Sequence, residues 1–306
     1  MIKRLGLITF IALLLTITAC SSNQNNANNE ELTIKTTLYP LEYIINEIGD
    51  NHVQVETIYP PGVDAHTYEP TSKEITDLAK ADAFVYLGAG MEGFANKAAN
   101  SLETQNLDLI EIGKHDSLFS EGSNTEHEHD DHGDFDPHVW LDPLRMNKMA
   151  DILLEELITL APEHEADFKE NSRIFKEEMI TLNEDFKTTL QDKKNNQILV
   201  THAAYGYWEE KYNIEQLSIS GLSTSDEPSQ KQLADIARLA KELEIDYVIY
   251  SQNDTNKTAE IIQEHIGAQK LQLHDLEVLT EEDIKADADY LSLMENNLAV
   301  LDKATD

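Results

Sequence analysis

Hydrophobic positions change period several times along the chain, and the changes divide it. Residues 32–38 (LTIKTTL) alternate as a half-buried strand does, and residues 53–58 alternate again before Pro60-Pro61-Gly62 breaks the pattern. Between them, residues 41–48 repeat with helical spacing and stop at Gly49. Thr71 and Glu74 have the spacing of a capping box, which predicts a helix running to about Ala81. A short apolar strand at 83–87, a helix at 91–102 and a strand at 107–112 complete four β/α units. Such a series marks a parallel sheet covered by helices.

From 144 to 191 no strand signal occurs. Residues 146–160 read as one helix. Pro162 suits a first helical turn, and apolar residues then recur at Phe168, Ile174, Phe175, Met179, Leu182, Phe186 and Leu190. This predicts one helix of about 30 residues, roughly 45 Å long. The β/α rhythm then returns, with strands at 198–200, 214–219, 247–250 and 270–273 and helices at 205–212, 229–243, 255–266 and 289–301. Eight strands in this order fit a closed (β/α)8 barrel or two four-stranded lobes. The uninterrupted helical stretch between units four and five argues for lobes, because a barrel connection rarely needs it. The expected fold is α/β: two lobes with mainly parallel four-stranded sheets, joined by a long rigid helix. The expected segments are an N-terminal lobe at 31–161, a linking helix at 162–193 and a C-terminal lobe at 194–306.

At the start, Lys3 and Arg4 precede an almost wholly apolar run from 5 to 15. A spanning helix needs about 20 apolar residues, so 1–19 is expected to be a secretory signal peptide. The small residues leading into Cys20 resemble the lipobox of bacterial lipoproteins, which implies a lipidated cysteine at the mature N-terminus. Cys20 is the single cysteine, so no internal disulfide can form. Residues 20–30, mostly Asn and Ser, read as a flexible tether. The expected location is extracytoplasmic, lipid-anchored to the outer face of the cell membrane. One acyl group binds weakly, so stable anchoring requires more than one.

Acids far outnumber bases, 58 to 23, giving a net charge of −35. That sign excludes nucleic acid as a partner. A negative field concentrates cations, but the acids are spread along the whole chain, which fits a solubility adaptation better.

The chemistry concentrates in 126–143, EHEHDDHGDFDPHVWLDP, where His127, His129, His132 and His138 are interleaved with acids. Imidazole is the commonest protein metal ligand, and His with Asp or Glu suits divalent cations. The plainer reading is a solvated polar loop. Topology separates the two. His66 lies in the loop after the second strand, His138 after the fourth, and His202 at the end of the first strand of the second half. Asp275 and Glu277 follow the last strand. Sites in such folds form beyond the carboxyl ends of strands, so these side chains can face one cleft, contributed by both halves.

Three stretches then carry a specific resemblance. GVDAHTYEPTSKEI, DPHVWLDP and THAAYGY are similar to the histidine motifs of the bacterial ABC-transporter solute-binding proteins for zinc and manganese, in the zinc-type branch. The acidic, His-bearing segment within 121–136 resembles the flexible His-rich loop of that branch. The resemblance implies metal bound between two lobes by His66, His138 and His202. A fourth ligand in this family is often an acid after the last long strand, and Glu277 in LHDLEVLT fits that place, with Asp275 as the runner-up. Asp64 and Glu69 stand beside His66 and are candidates either for the metal or for holding the imidazole. Gln252 occupies a position where some relatives carry Glu, which favours Glu277. His127, His129 and His132 would form an accessory collecting loop.

Three imidazoles and one carboxylate suit tetrahedral Zn²⁺, whereas manganese prefers oxygen, and manganese-binding relatives have an acid where this chain has His202. The expected role is therefore capture of Zn²⁺ as a transported ligand by a monomer, and its delivery to an ABC permease with its ATPase. Affinity is expected to fall as pH drops through about 6.5. The alternatives are a manganese-type binding protein and, from another class, a secreted zinc hydrolase with Glu277 as general base. The second lacks support from H-E-x-x-H or G-x-S-x-G motifs.

Overall fold

Two parallel four-stranded sheets with the same strand order organise the chain. In this computed structural model, residues 31–119, 135–226, 228–252 and 256–306 are described. The expected signal peptide, tether and Cys20 lie outside the described residues, as do His127, His129 and His132. Among the described residues, no helix is long and apolar enough to cross a membrane.

The first sheet contains β1 (Leu32–Thr36), β2 (Val53–Thr57), β3 (Ala83–Tyr86) and β4 (Asp108–Glu111) in the order β2-β1-β3-β4. The second contains β5 (Gln197–Val200), β6 (Glu215–Ser218), β7 (Tyr247–Ser251) and β8 (Gln269–Leu273) in the order β6-β5-β7-β8. All pairs are parallel. Two open sheets exclude the closed barrel. The central strand β3 is buried at every position, as expected of a parallel sheet covered on both faces.

The helices are α1 (Tyr39–Gly49), α2 (Ser72–Leu78), α3 (Ala95–Leu102), α4 (Pro143–Leu160), α5 (Glu165–Leu190), α6 (Gly206–Tyr212), α7 (Gln230–Glu242), α8 (Lys257–Ile266), α9 (Glu281–Ala286) and α10 (Tyr290–Ala304). The Thr71–Glu74 capping box forms as expected. Several boundaries differ from expectation. Helix α4 begins at Pro143 rather than 146, because Asp142 caps it and Pro143 fits its first turn. Helix α3 begins at 95 rather than 91, because Gly88, Ala89 and Gly90 take left-handed conformations that hold the preceding residues in a turn. The long helix has 26 residues, about 39 Å, because Pro162–His164 forms a separate 3₁₀ turn. Helix α9, six residues behind a Thr280–Asp283 capping box, has no counterpart among the expected elements.

Helix α5 ties the halves together. Its buried stripe includes Phe168, Phe175, Met179, Leu182, Phe186 and Leu190, whereas Ile174 is exposed. Near its start Phe175 packs against Tyr43 of α1. Near its end Phe186 packs against Trp208 and Tyr212 of α6. One hydrophobic core runs through both halves, from Ile34 to Leu301. A smaller cluster, including Leu199, Val248 and Ile262, covers the second sheet alone. Residues 31–306 form one compact unit.

Candidate metal centre

Four loops that leave the carboxyl ends of β2, β4, β5 and β8 bring His66, His138, His202 and Glu277 together. One ligand atom from each lies within 4.8 Å of every other. The Nε2 atoms of His66 and His138 are 3.4 Å apart, and Glu277 Oε1 is 3.5 and 3.7 Å from them respectively. A tetrahedron with bonds of 2.0–2.1 Å to nitrogen has edges of about 3.3–3.4 Å. The spacing of these donors therefore suits a small four-coordinate cation with little rearrangement.

Each side chain is aimed by local chemistry. The His66 turn is capped by Asp64, whose Oδ1 accepts from the backbone N–H of His66 and Thr67. His138 is fully buried, and Asp136 Oδ1 accepts from both its backbone N–H and its ring Nδ1, at 3.0 and 2.7 Å. That leaves Nε2 of His138 to face His66 Nε2 and Glu277 Oε1. His202 is reversed: its Nε2 donates to the carbonyl of Leu222 at 2.8 Å, and Nδ1 has no hydrogen-bond partner among the described residues. Glu277 Oε1, also buried, likewise lacks a hydrogen-bond partner there. Unpaired buried polar atoms cost about 1–3 kcal/mol each, and their convergence points to a cation. Glu277 follows Leu276, a buried residue with φ of 60°. That conformation is a sterically costly one for leucine and marks a turn held in place by its surroundings.

The other candidates fall elsewhere. Asp275 Oδ1 accepts from the Gln252 side-chain amide and from the Glu277 N–H, while the Asp275 N–H donates back to Gln252. Gln252 thus holds Asp275, and through it the turn that presents Glu277. Asp64 engages backbone N–H groups and the Thr224 hydroxyl rather than an imidazole. Glu69 is exposed and lies outside the cluster. Asp136 is the residue of the candidate centre that the motifs did not single out. Its signal was present, a carboxylate two residues before His138 with Pro137 between them.

The titrations follow from this packing. Burial pushes the His202 imidazole down to about 4, assisted by the charge of His138. Burial also lowers His138, but the hydrogen bond to Asp136 and the nearby Glu277 carboxylate outweigh it and push that ring up to about 9. Burial raises Glu277, yet the imidazoles of His138 and His66, 3.7 and 3.5 Å away, hold it well below the usual carboxylate range. Asp275 is pushed up to about 6 by burial and by the Glu277 charge. Without metal, the centre is thus an ion pair of Glu277 with protonated His138, beside a neutral His202. A cavity of about 560 Å³, lined by residues including Asp64, His202, Thr224, Ser251 and Glu277, reaches the centre from one side.

The family described as "Zinc-uptake complex component A periplasmic" matches residues 34–304. The chain belongs to this family. It is 32% identical over 309 residues to the zinc-binding lipoprotein AdcA of Streptococcus pneumoniae, covering 99% of this chain and 61% of that protein. It is 30% identical over 307 residues to the high-affinity zinc uptake system protein ZnuA of Bacillus subtilis, covering 97% and 96%. The chain thus spans about three-fifths of the AdcA relative and nearly the whole of the ZnuA one. Among solved structures, Zn(II)-bound AdcA from Streptococcus pneumoniae superposes with a TM-score of 0.75 at 32% identity, over 90% of this chain and 58% of that one. A crystal structure of ZnuA superposes with a TM-score of 0.77 at 25% identity, over 90% and 100%.

Proposed function

We propose that this chain is the extracytoplasmic Zn²⁺-binding component of an ABC importer, lipid-anchored through Cys20, which passes its cargo to a permease driven by an ATPase. One observation carries the reading: three imidazoles and one carboxylate, from four strand-end loops of two sheets, converge at distances suited to tetrahedral zinc. His66 and His138 through Nε2, His202 through Nδ1 and Glu277 through Oε1 are the ligands in this proposal. A nitrogen-rich set favours Zn²⁺ over Mn²⁺. With Glu277 as a ligand, all four positions are filled by protein and no open position remains for the reactive water of a hydrolase. The names of the AdcA and ZnuA relatives support the zinc assignment.

Binding exchanges one proton for one metal. The proton on His138 Nε2 leaves, and Zn²⁺ takes the lone pair that it vacates. Asp136 then stabilises the imidazole through Nδ1–H, as metal-bound histidine requires. Isothermal titration tests the proposal. Wild-type protein is expected to bind one Zn²⁺ tightly at this centre and Mn²⁺ at least a hundredfold more weakly, and His66→Ala and Glu277→Ala each to weaken zinc by about a hundredfold or more. Absence of tight zinc binding in the wild type overturns the proposal. Retention of zinc by Glu277→Ala assigns Glu277 another role and reopens the hydrolase reading.

A further inference from the structure

A second cluster of metal-ligating groups lies at the opposite end of β2 from the His66 loop. It comprises His52, in the 3₁₀ turn Asp50–His52 that leads into β2, His164, in the turn Pro162–His164 between α4 and α5, and Asp167 on the first turn of α5. One ligand atom from each lies within 4.8 Å of the others. His52 Nε2 and Asp167 Oδ2 are already 3.1 Å apart. The two imidazoles are stacked, with centroids 3.7 Å apart and planes at 21°. Both rings rest edge-on against Phe168, which is fully buried and fixes them side by side.

We propose that His52, His164 and Asp167 form a second, surface site for a late first-row divalent cation of the Zn²⁺ class. Three atoms no more than 4.8 Å apart can all lie within about 2.8 Å of one point. Zinc bonds to nitrogen and carboxylate oxygen are about 2.0–2.2 Å, and because an imidazole lone pair lies in the ring plane, the two stacked rings splay apart to aim their nitrogens at one ion. Asp167 is free to follow the ion, since its side chain is 65% exposed. A neutral imidazole has one N–H and one unprotonated ring nitrogen that can act as a donor atom. Each ring can therefore supply one nitrogen to a shared cation. Two nitrogens and one oxygen suit zinc and its neighbours in the first row over magnesium or calcium, which take oxygen shells. Three protein ligands leave the remaining position to water. The site is thus more open than the cleft centre, and its ion is held less tightly. It also joins two elements distant in sequence, the start of β2 and the start of the long helix, so a bound ion acts as a clamp between the first sheet and α5.

The test removes every other histidine cluster first. A full-length chain carrying His66→Ala and Glu277→Ala together with His127→Ala, His129→Ala and His132→Ala is titrated with Zn²⁺ by calorimetry. It is then titrated with Co²⁺ while the visible absorption is followed. This chain is expected to bind zinc with a stoichiometry that drops by one when His52→Ala and His164→Ala are added. The single exposed change Asp167→Asn, which leaves the fold undisturbed, is expected to weaken that zinc at least tenfold. Zinc is expected to raise the thermal midpoint of the parent and of neither derivative in which the site is lost or weakened to the same degree. Equal stoichiometry and affinity with and without the three side chains, or a parent that binds no zinc, overturns the proposal.

Discussion

At the scale of single residues, the candidate centre is defined as much by what holds each converging side chain as by those side chains themselves. His66, His138, His202 and Glu277 were legible because each follows a recognisable strand and three of them sit in long motifs. The Leu222 carbonyl that sets the tautomer of His202 was not, because a backbone contact between loops leaves no trace in local residue pattern. The pairing of Gln252 with Asp275 was hidden for the same reason. The pH dependence expected from an unperturbed imidazole changes once Asp136 is in view. His138 is raised to about 9 and His202 lowered to about 4. Protons therefore compete for His138 everywhere below about 9, while His202 stays neutral down to about 4 and offers no competition at neutral pH. Zinc affinity is expected to rise with pH by about tenfold per unit from this group up to about 9, with about one proton released per zinc at pH 7. Asp136→Asn keeps an acceptor but removes the charge that raises His138. It is expected to move that upper limit to lower pH and to weaken zinc at pH 9 by 10- to 100-fold. Calorimetry in buffers of different ionisation enthalpy measures both, and a proton count near zero at pH 7 would refute the account.

At the scale of elements, strand positions were well marked because alternation survives on half-covered strands such as β2, while a continuous apolar run marks the doubly covered β3. Helix starts were less so. The beginnings of α3 and α4 depend on left-handed turn residues and on an Asp-Pro cap, which override the apolar period that suggested later or earlier starts. α9 is too short and too polar for any period to reveal. Helix α5 was visible from its spacing, and its function in the fold rests on a few aromatic side chains. Phe175 is essentially fully buried, and its ring lies 6.0 Å from that of Tyr43, which in turn stacks on Tyr290 of α10 at 5.4 Å. One side chain thus contacts the layer that joins first and last helices. Phe175→Ala is expected to destabilise the protein by about 3–5 kcal/mol, whereas Ile174→Ala, one residue away and exposed, is expected to change stability by about 0.5 kcal/mol or less. Chemical denaturation of the two variants checks the contrast, and similar losses would show that α5 does not carry the core in this way.

At the scale of the whole molecule, the question is how a cation reaches donors that are almost closed to solvent. The side chains of His66, His138 and Glu277 are 5%, 0% and 6% exposed. Separation of the two halves would have to break a shared core and a set of hydrogen bonds between them. The N–H of Tyr39 donates to Glu277 O, and that of Gly62 to Leu279 O. Trp140 Nε1 donates to Asp275 O, Trp208 Nε1 to Leu141 O, and the hydroxyl of Tyr290 to Trp140 O. Breaking several buried bonds together is costly. The loop over the cavity is held far more lightly, since Thr224 bonds to Asp64 at 2.5 Å where both are exposed. The same loop carries Leu222, the acceptor for His202, so a movement of the loop is expected to release the His202 ring and open the cavity together. The charge of −35 raises cation concentration near this opening only locally, because screening falls to about 8 Å at physiological salt. Zinc exchange is therefore expected to proceed by loop movement within a fixed frame. Thr224→Ala, which removes one hydrogen bond of about 0.5–1.5 kcal/mol, is expected to speed zinc release about 2- to 13-fold in stopped-flow chelator chase. Small-angle scattering profiles of the zinc-free and zinc-loaded protein should superimpose. A release rate unchanged by the substitution, together with a scattering change that reports closure of one half on the other, would place the motion in a hinge and overturn this expectation.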